Sequence, residues 1–263
     1  MRYLAVITLL VLAACQTTVE QDWNAGMAAF KQGDYATALK HFRPLAEQGN
    51  ARAQFNLGVW YRLGHGVAQD YAEALRWFRL AAEQGYVKAQ NNLALMYHLG
   101  KGVAKDHAEA VRWLRKGAEQ GEPKAQHNLG LMYQWGKGVA QDYAEAFRWI
   151  RKGAEQGDPK AQTSLGWMYQ DGKGVAKDYA VAVKWYRKAA NQGFDPAQYS
   201  LAKLEKKLRA EGNWPPKPGK AKAPGSPSSD IETRLRKLQK LVKEGLITKE
   251  DAARKRKELL DKL

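Results

Sequence analysis

The chain has 263 residues, a formal net charge of +16 and a mean hydropathy of −0.61, long enough for one large or two small domains. Its single cysteine excludes an intramolecular disulfide and any multi-cysteine metal site. The positive excess predicts attraction to anionic polymers or acidic proteins, and it is uneven, since residues 203–263 hold 18 Lys and Arg against 9 Asp and Glu.

At the N-terminus, Met1 and Arg2 precede an apolar run from Ala5 to Ala14. This has the form of an export signal over residues 1–14 and is too short to span a membrane as a permanent helix. The run ends in Leu12-Ala13-Ala14-Cys15, which resembles the bacterial lipobox. That resemblance implies cleavage before Cys15 and a diacylated thiol, whose buried CH2 groups at roughly 0.8 kcal/mol each hold a chain on a bilayer. Gln16 stands where the enterobacterial sorting pattern puts Asp for inner-membrane retention, which implies a periplasm-facing lipoprotein of a Gram-negative outer membrane. Residues 15–22 read as a short tether.

Next comes a repeat. Ala-Gln recurs at Ala53, Ala89, Ala125, Ala161 and Ala197, every 36 residues. Leu57, Leu93, Leu129, Leu165 and Leu201 keep that step, as do Tyr61, Tyr97, Tyr133 and Tyr169, and Trp77, Trp113, Trp149 and Trp185. Within a unit, Ala53, Leu57 and Tyr61 lie one turn apart, while Ala74, Trp77, Phe78 and Ala81 follow the i, i+3, i+4, i+7 pattern, so each unit holds two amphipathic helices. Gly64 and Gly66 stop the first helix, and Asp70 with Glu73 reads as a capping box opening the second, repeated at Asp106/Glu109 and Asp142/Glu145. Asp178 is followed by Val181 instead. Gly85, Gly121, Gly157 and Gly193 are placed to close the second helices. Asp158-Pro159 and Asp195-Pro196 read as an N-cap before Pro at the first helical position, with Glu122-Pro123 a weaker form.

The A-Q-x-x-L-G-x-x-Y first helix, the G-x-G-V-x-x-D-Y loop and the W-x-R-K-A-A-x-Q-G second helix resemble the Sel1-like repeat, a 36-residue relative of the tetratricopeptide repeat. The resemblance implies an all-α fold, a right-handed α-solenoid over residues 23–211 that works by holding other proteins. Its units are 23–50, 51–86, 87–122, 123–158 and 159–194, with a capping helix at 195–211. The Leu, Tyr and Trp stripes are core, because one unit cannot bury its apolar face alone.

In this repeat class the first helices line the concave side. Five residues before each Leu stand Arg52, Lys88, Lys124 and Lys160, and one before it stand Asn56, Asn92 and Asn128, with Ser164 in the last unit. The two positions are one turn apart on one face. In tetratricopeptide proteins that grip a peptide carboxylate, Lys and Asn occupy the equivalent places, so these residues are candidates for partner binding; tying neighbouring helices is the alternative role for the Asn. Trp135 and Trp167 break the repeat pattern and are candidate anchors.

Residues 212–229 carry five of the nine prolines and read as a semi-extended linker. Beyond it, Ile231, Leu235, Leu238 and Leu241 form a helical stripe before Gly245, and Thr248 can cap a second helix ending at Leu259, Leu260 and Leu263. Residues 230–263 resemble the short domain called SHOCT, which implies a helical hairpin that self-associates, since so short a unit has too little core to stand alone.

No catalytic constellation is visible, and the chain reads as a non-enzyme without cofactor. Ser200-Leu201-Ala202-Lys203 matches the S-x-x-K of penicillin-recognising enzymes, but K-T-G, S-D-N and paired cysteines are missing. A β-lactam or ester hydrolase using Ser200 is therefore a remote alternative. The five His show no paired metal-ligand spacing. A nearer alternative is an envelope accessory that contacts peptidoglycan or lipopolysaccharide through the basic tail. Export removes the chain from nucleic acid.

Overall fold

The computed structural model describes residues 19–216 and positions 251, 253 and 255. Cys15, the linker beyond residue 216 and the hairpin other than those three helical positions lie outside the described residues.

Every regular element among the described residues is a helix. In chain order these are α1 (residues 19–31), α2 (Tyr35–Glu47), α3 (Ala51–Leu63), α4 (Tyr71–Glu83), α5 (Val87–Leu99), α6 (His107–Glu119), α7 (Pro123–Trp135), α8 (Tyr143–Glu155), α9 (Pro159–Asp171), α10 (Tyr179–Ala190) and α11 (Asp195–Ala210). Each helix packs on the next, and the odd-numbered helices α5, α7, α9 and α11 also touch one another in succession. The even-numbered helices make no comparable contact, so the odd-numbered, first helices form the inner side of the stack. α1 is already helical at residue 19, which shortens the expected tether of residues 15–22 and moves the start of the solenoid upstream of Trp23.

Most of the periodic apolar positions are core, although Tyr61, Tyr133, Trp149, Trp185 and Leu201 are only half-buried. Ala53, Leu57, Ala74, Trp77, Phe78 and Ala82 are buried, and so are their equivalents Ala89, Leu93, Ala110, Trp113, Leu114 and Ala118 in the next unit. At the C-terminal end the core around Leu204 and Leu208 is covered in part by Trp214, so the first residues of the expected linker 212–229 pack on the cap.

α3, α5, α7 and α9 end at the left-handed glycines Gly64, Gly100, Gly136 and Gly172, and the chain then loops to the next Asp. The second glycine of the loop has a steric reason: a Cβ on Gly102, Gly138 or Gly174 would strike the backbone of Tyr71, His107 or Tyr143 in the preceding unit. The capping expectation holds in half. Asp70, Asp106, Asp142 and Asp178 accept from backbone N–H groups of their own helices. Their own N–H groups, however, donate to the carbonyls of Tyr61, Tyr97, Tyr133 and Tyr169. The reciprocal arm of the box is thus replaced, and Glu73, Glu109 and Glu145 pair with Arg76, Arg112 and Arg148. For α11 the N-cap is Phe194, one residue earlier than the Asp195 that the sequence indicated, and Asp195 is already in the first turn.

The Gln of the first four Ala-Gln pairs is a buried staple, whereas Gln198 of the fifth is exposed. Gln54, Gln90, Gln126 and Gln162 donate to the carbonyls of Ala46, Ala82, Ala118 and Ala154 in the unit before. Each accepts in turn from Gln84, Gln120, Gln156 or Gln192 of its own unit at 2.7 to 3.0 Å. Two buried polar groups per unit are satisfied across the joint, where an unpaired one costs about 1–3 kcal/mol.

Candidate functional site

The inner face is built from the first helices, and its chemistry falls into three strips. The first is cationic. Arg52, Lys88, Lys124 and Lys160 are exposed at the second position of α3, α5, α7 and α9. A cation there faces the positive end of the helix dipole, at a cost of about 0.3–1 kcal/mol. The first turns of these four helices contain no acidic residue, whereas those of α4, α6 and α8 carry Glu73, Glu109 and Glu145. Arg52 lies 4.0 Å over the Trp23 ring.

The middle strip is a polar ladder along the line where first helices meet. Asn128 Nδ2 donates to Asn91 Oδ1 at 2.8 Å, linking α7 to α5. His127 Nε2 lies 2.9 Å from Ser164 Oγ, linking α7 to α9. Asn92 donates to the Lys88 carbonyl of its own helix at 2.8 Å, and Asn56 is half-buried. Asn128 and Ser164 therefore tie adjacent helices, while Asn92 stays on the face one turn beyond Lys88. Burial holds the His127 imidazole neutral, with its pKa lowered to about 4. Asn91 and His127 escaped the sequence reading because they sit at a position filled by Phe55 and Thr163 in the flanking units; only the offset between stacked helices brings them to the ladder.

The third strip lies at the other end of the first helices. Trp135 is 51% exposed, with Lys137 Nζ 5.2 Å from its ring. Away from this face, Ser200 donates to the Pro196 carbonyl at 2.8 Å, an ordinary back-bond within α11.

Residues 28–50, 51–86, 87–122, 123–158 and 159–194 each match the model of the Sel1 repeat. The chain belongs to the Sel1 repeat family. Two solved structures are similar over most of the solenoid. A structure from uropathogenic Escherichia coli, described as c5321, a protective antigen displaying an SLR fold, shares 40% identity at a TM-score of 0.67 over 75% of this chain and 43% of its own. This chain thus spans less than half of that protein. A Sel1 repeat protein from Oxalobacter formigenes shares 38% identity at a TM-score of 0.66 over 71% of this chain and 74% of its own. A search of curated proteins gives no match. Membership of this family makes the chain a Sel1-repeat protein of the kind that serves as a protein–protein interaction scaffold.

Proposed function

We propose that this Sel1 solenoid is a scaffold of the bacterial envelope, held to the outer membrane by a lipid on Cys15, and that its inner face grips an acidic group of a partner protein through Arg52, Lys88, Lys124 and Lys160. The observation that carries the reading is the placement of those four cations. They stand at helix N-termini whose dipole disfavours a cation, and the first turns of their helices hold no acidic residue, the carboxylates nearby being the N-cap residues Glu122 and Asp158 of α7 and α9. Folding does not need such a row, and binding to an anion does. Asn92 adds a second polar contact one turn along. The hairpin at 230–263 would bring copies together on the Pro-rich linker.

The test has two arms. Palmitate supplied to growing cells labels the chain, and Cys15→Ala abolishes the label. Crosslinking in cells followed by mass spectrometry recovers a partner, and Lys88→Ala with Lys124→Ala lowers its yield severalfold. Unchanged recovery from that pair defeats the assignment of the inner face, and retained palmitate in the Cys15 variant defeats the anchor.

A further inference from the structure

We infer that the rim formed by the C-terminal ends of the first helices and the glycine loops behind them binds an extended acidic segment of a partner protein with an apolar side chain at every third residue. The inference rests on the reading of the solenoid as a protein-binding scaffold and adds a contact distinct from the cation row at the opposite ends of the same helices.

Among the described residues the exposed large hydrophobics are Leu63, Leu80, Leu99, Trp135 and Tyr199. Three of the five fall on one repeat position, the last residue of a first helix, and they are 45%, 54% and 51% exposed in chain order. The fold does not require an apolar residue there, because the fifth unit ends its first helix with Asp171. Leu63, Leu99 and Trp135 therefore place one apolar side chain per unit, in a row, on a surface where nothing in the stack uses them.

The same rim is positive. Lys101, Lys105, Lys137 and Lys177 are exposed on its loops, and Lys101, Lys137 and Lys173 lie 4.9, 5.2 and 5.0 Å from the rings of Tyr71, Trp135 and Tyr143. The acidic side chains of these loops face the other way: Asp70, Asp106, Asp142 and Asp178 accept from helix N–H groups. Asp171 is the exposed carboxylate at the end of the row, bonded to Gln170. Lysines held near aromatic rings and set between apolar side chains fit a partner that offers carboxylates and hydrophobic groups alternately.

The spacing sets the partner's pattern. Helices packed side by side lie about 10 Å apart. A segment in the polyproline II conformation rises about 3.1 Å per residue with three residues per turn, so its side chains at every third position share one face and advance about one unit each. A stretch with apolar residues at i, i+3 and i+6 and Asp or Glu between them meets Leu63, Leu99 and Trp135 in turn.

The full chain, held in detergent, is panned against a random dodecapeptide library displayed on phage, and enriched sequences are made as free peptides for fluorescence titration. The expected peptides carry net negative charge and apolar residues three apart. Leu99→Ser with Trp135→Ser weakens them at least tenfold without changing the helical circular dichroism, and Lys40→Ala with Lys184→Ala, at exposed lysines of second helices, leaves them unaffected. Equal binding by the Leu99/Trp135 variant overturns the inference, as does enrichment of neutral or basic peptides. Inorganic polyphosphate binding as tightly as the peptides reduces the rim to a site for charge alone and also overturns it. Loss confined to the Lys88/Lys124 variant moves the contact to the cation row, refuting the rim while leaving the scaffold reading in place.

Discussion

His127 shows how one substitution in a repeat changes the chemistry of a joint. It is 7% exposed, and it meets Ser164 where the other units have Phe55, Asn91 and Thr163 one residue before their Asn or Ser. Burial is the main cause of its lowered pKa, Lys160 acts in the same direction, and Asp158 opposes them. The folded chain holds the ring neutral down to about pH 4, while in the unfolded chain it protonates at 6.5. Its contribution is thus complete above pH 6.5 and is lost as the pH falls toward 4, by about 3 kcal/mol in all. His127→Asn removes the titration and keeps a side chain that can reach Ser164. The urea midpoint of the wild type should therefore drop further between pH 7 and 4.5 than that of the variant. Parallel curves would show that His127 is not the group responsible. His98 shares the tendency, its pKa lowered by burial first and then by His107, Lys137 and Lys105.

At the scale of helices, the sequence period exposed the two-helix unit, its glycine stops and its core, because those features are set by contacts within 36 residues. Asp70 and Glu73 likewise announced the start of a helix, though not that the Tyr61 carbonyl would take the Asp70 N–H. What stayed hidden depends on the offset between neighbours: the Asn91–Asn128 bond, the packing of Trp167 and the seating of Trp214 on the cap all join residues that no local pattern pairs. Helix pairing itself shows a matched choice. A Cβ on Gly58, Gly130 or Gly166 would press into Phe78, Ile150 or Tyr186, whereas Ala94 stands opposite Leu114. At Gly130 the added atom would come within 2.5 Å of Ile150 Cγ1 and 3.0 Å of the Ala146 carbonyl. Gly130→Ala should therefore destabilise by about 1–2 kcal/mol, because overpacking outweighs the roughly 1 kcal/mol gained in helix propensity. Adding Ile150→Leu copies the Ala94/Leu114 pair and should recover part of the loss, since Leu branches one carbon further from the backbone. Thermal melts of both variants measure the coupling, and strictly additive effects would contradict the pairing.

For the whole molecule, stability is the sum of units and joints, because each unit touches little beyond its neighbours. The Gln staples carry much of that coupling, since each crosses a joint in a buried setting. Gln126 is the central test. Removing its side chain leaves the Ala118 carbonyl without that donor and takes from Gln156 the acceptor it reaches at 2.7 Å. The cost is about 2–3 kcal/mol, placed between the units that end at residues 122 and 158. A loss of that size at the middle joint exceeds what neighbouring units exchange in many repeat arrays, so the two halves should cease to unfold together. Gln54→Ala, at the N-terminal end, should instead lower the whole transition modestly, because only one unit lies beyond it. Native-state hydrogen exchange on α3 to α5 and on α9 to α11 separates the outcomes. In the Gln126→Ala chain the two sets of amides should report different opening free energies, and in the Gln54→Ala chain the amides of α5, α9 and α11 should keep a common value. A single shared value in both variants would mean that apolar packing alone couples the units and that the Gln ladder only satisfies its own polar groups.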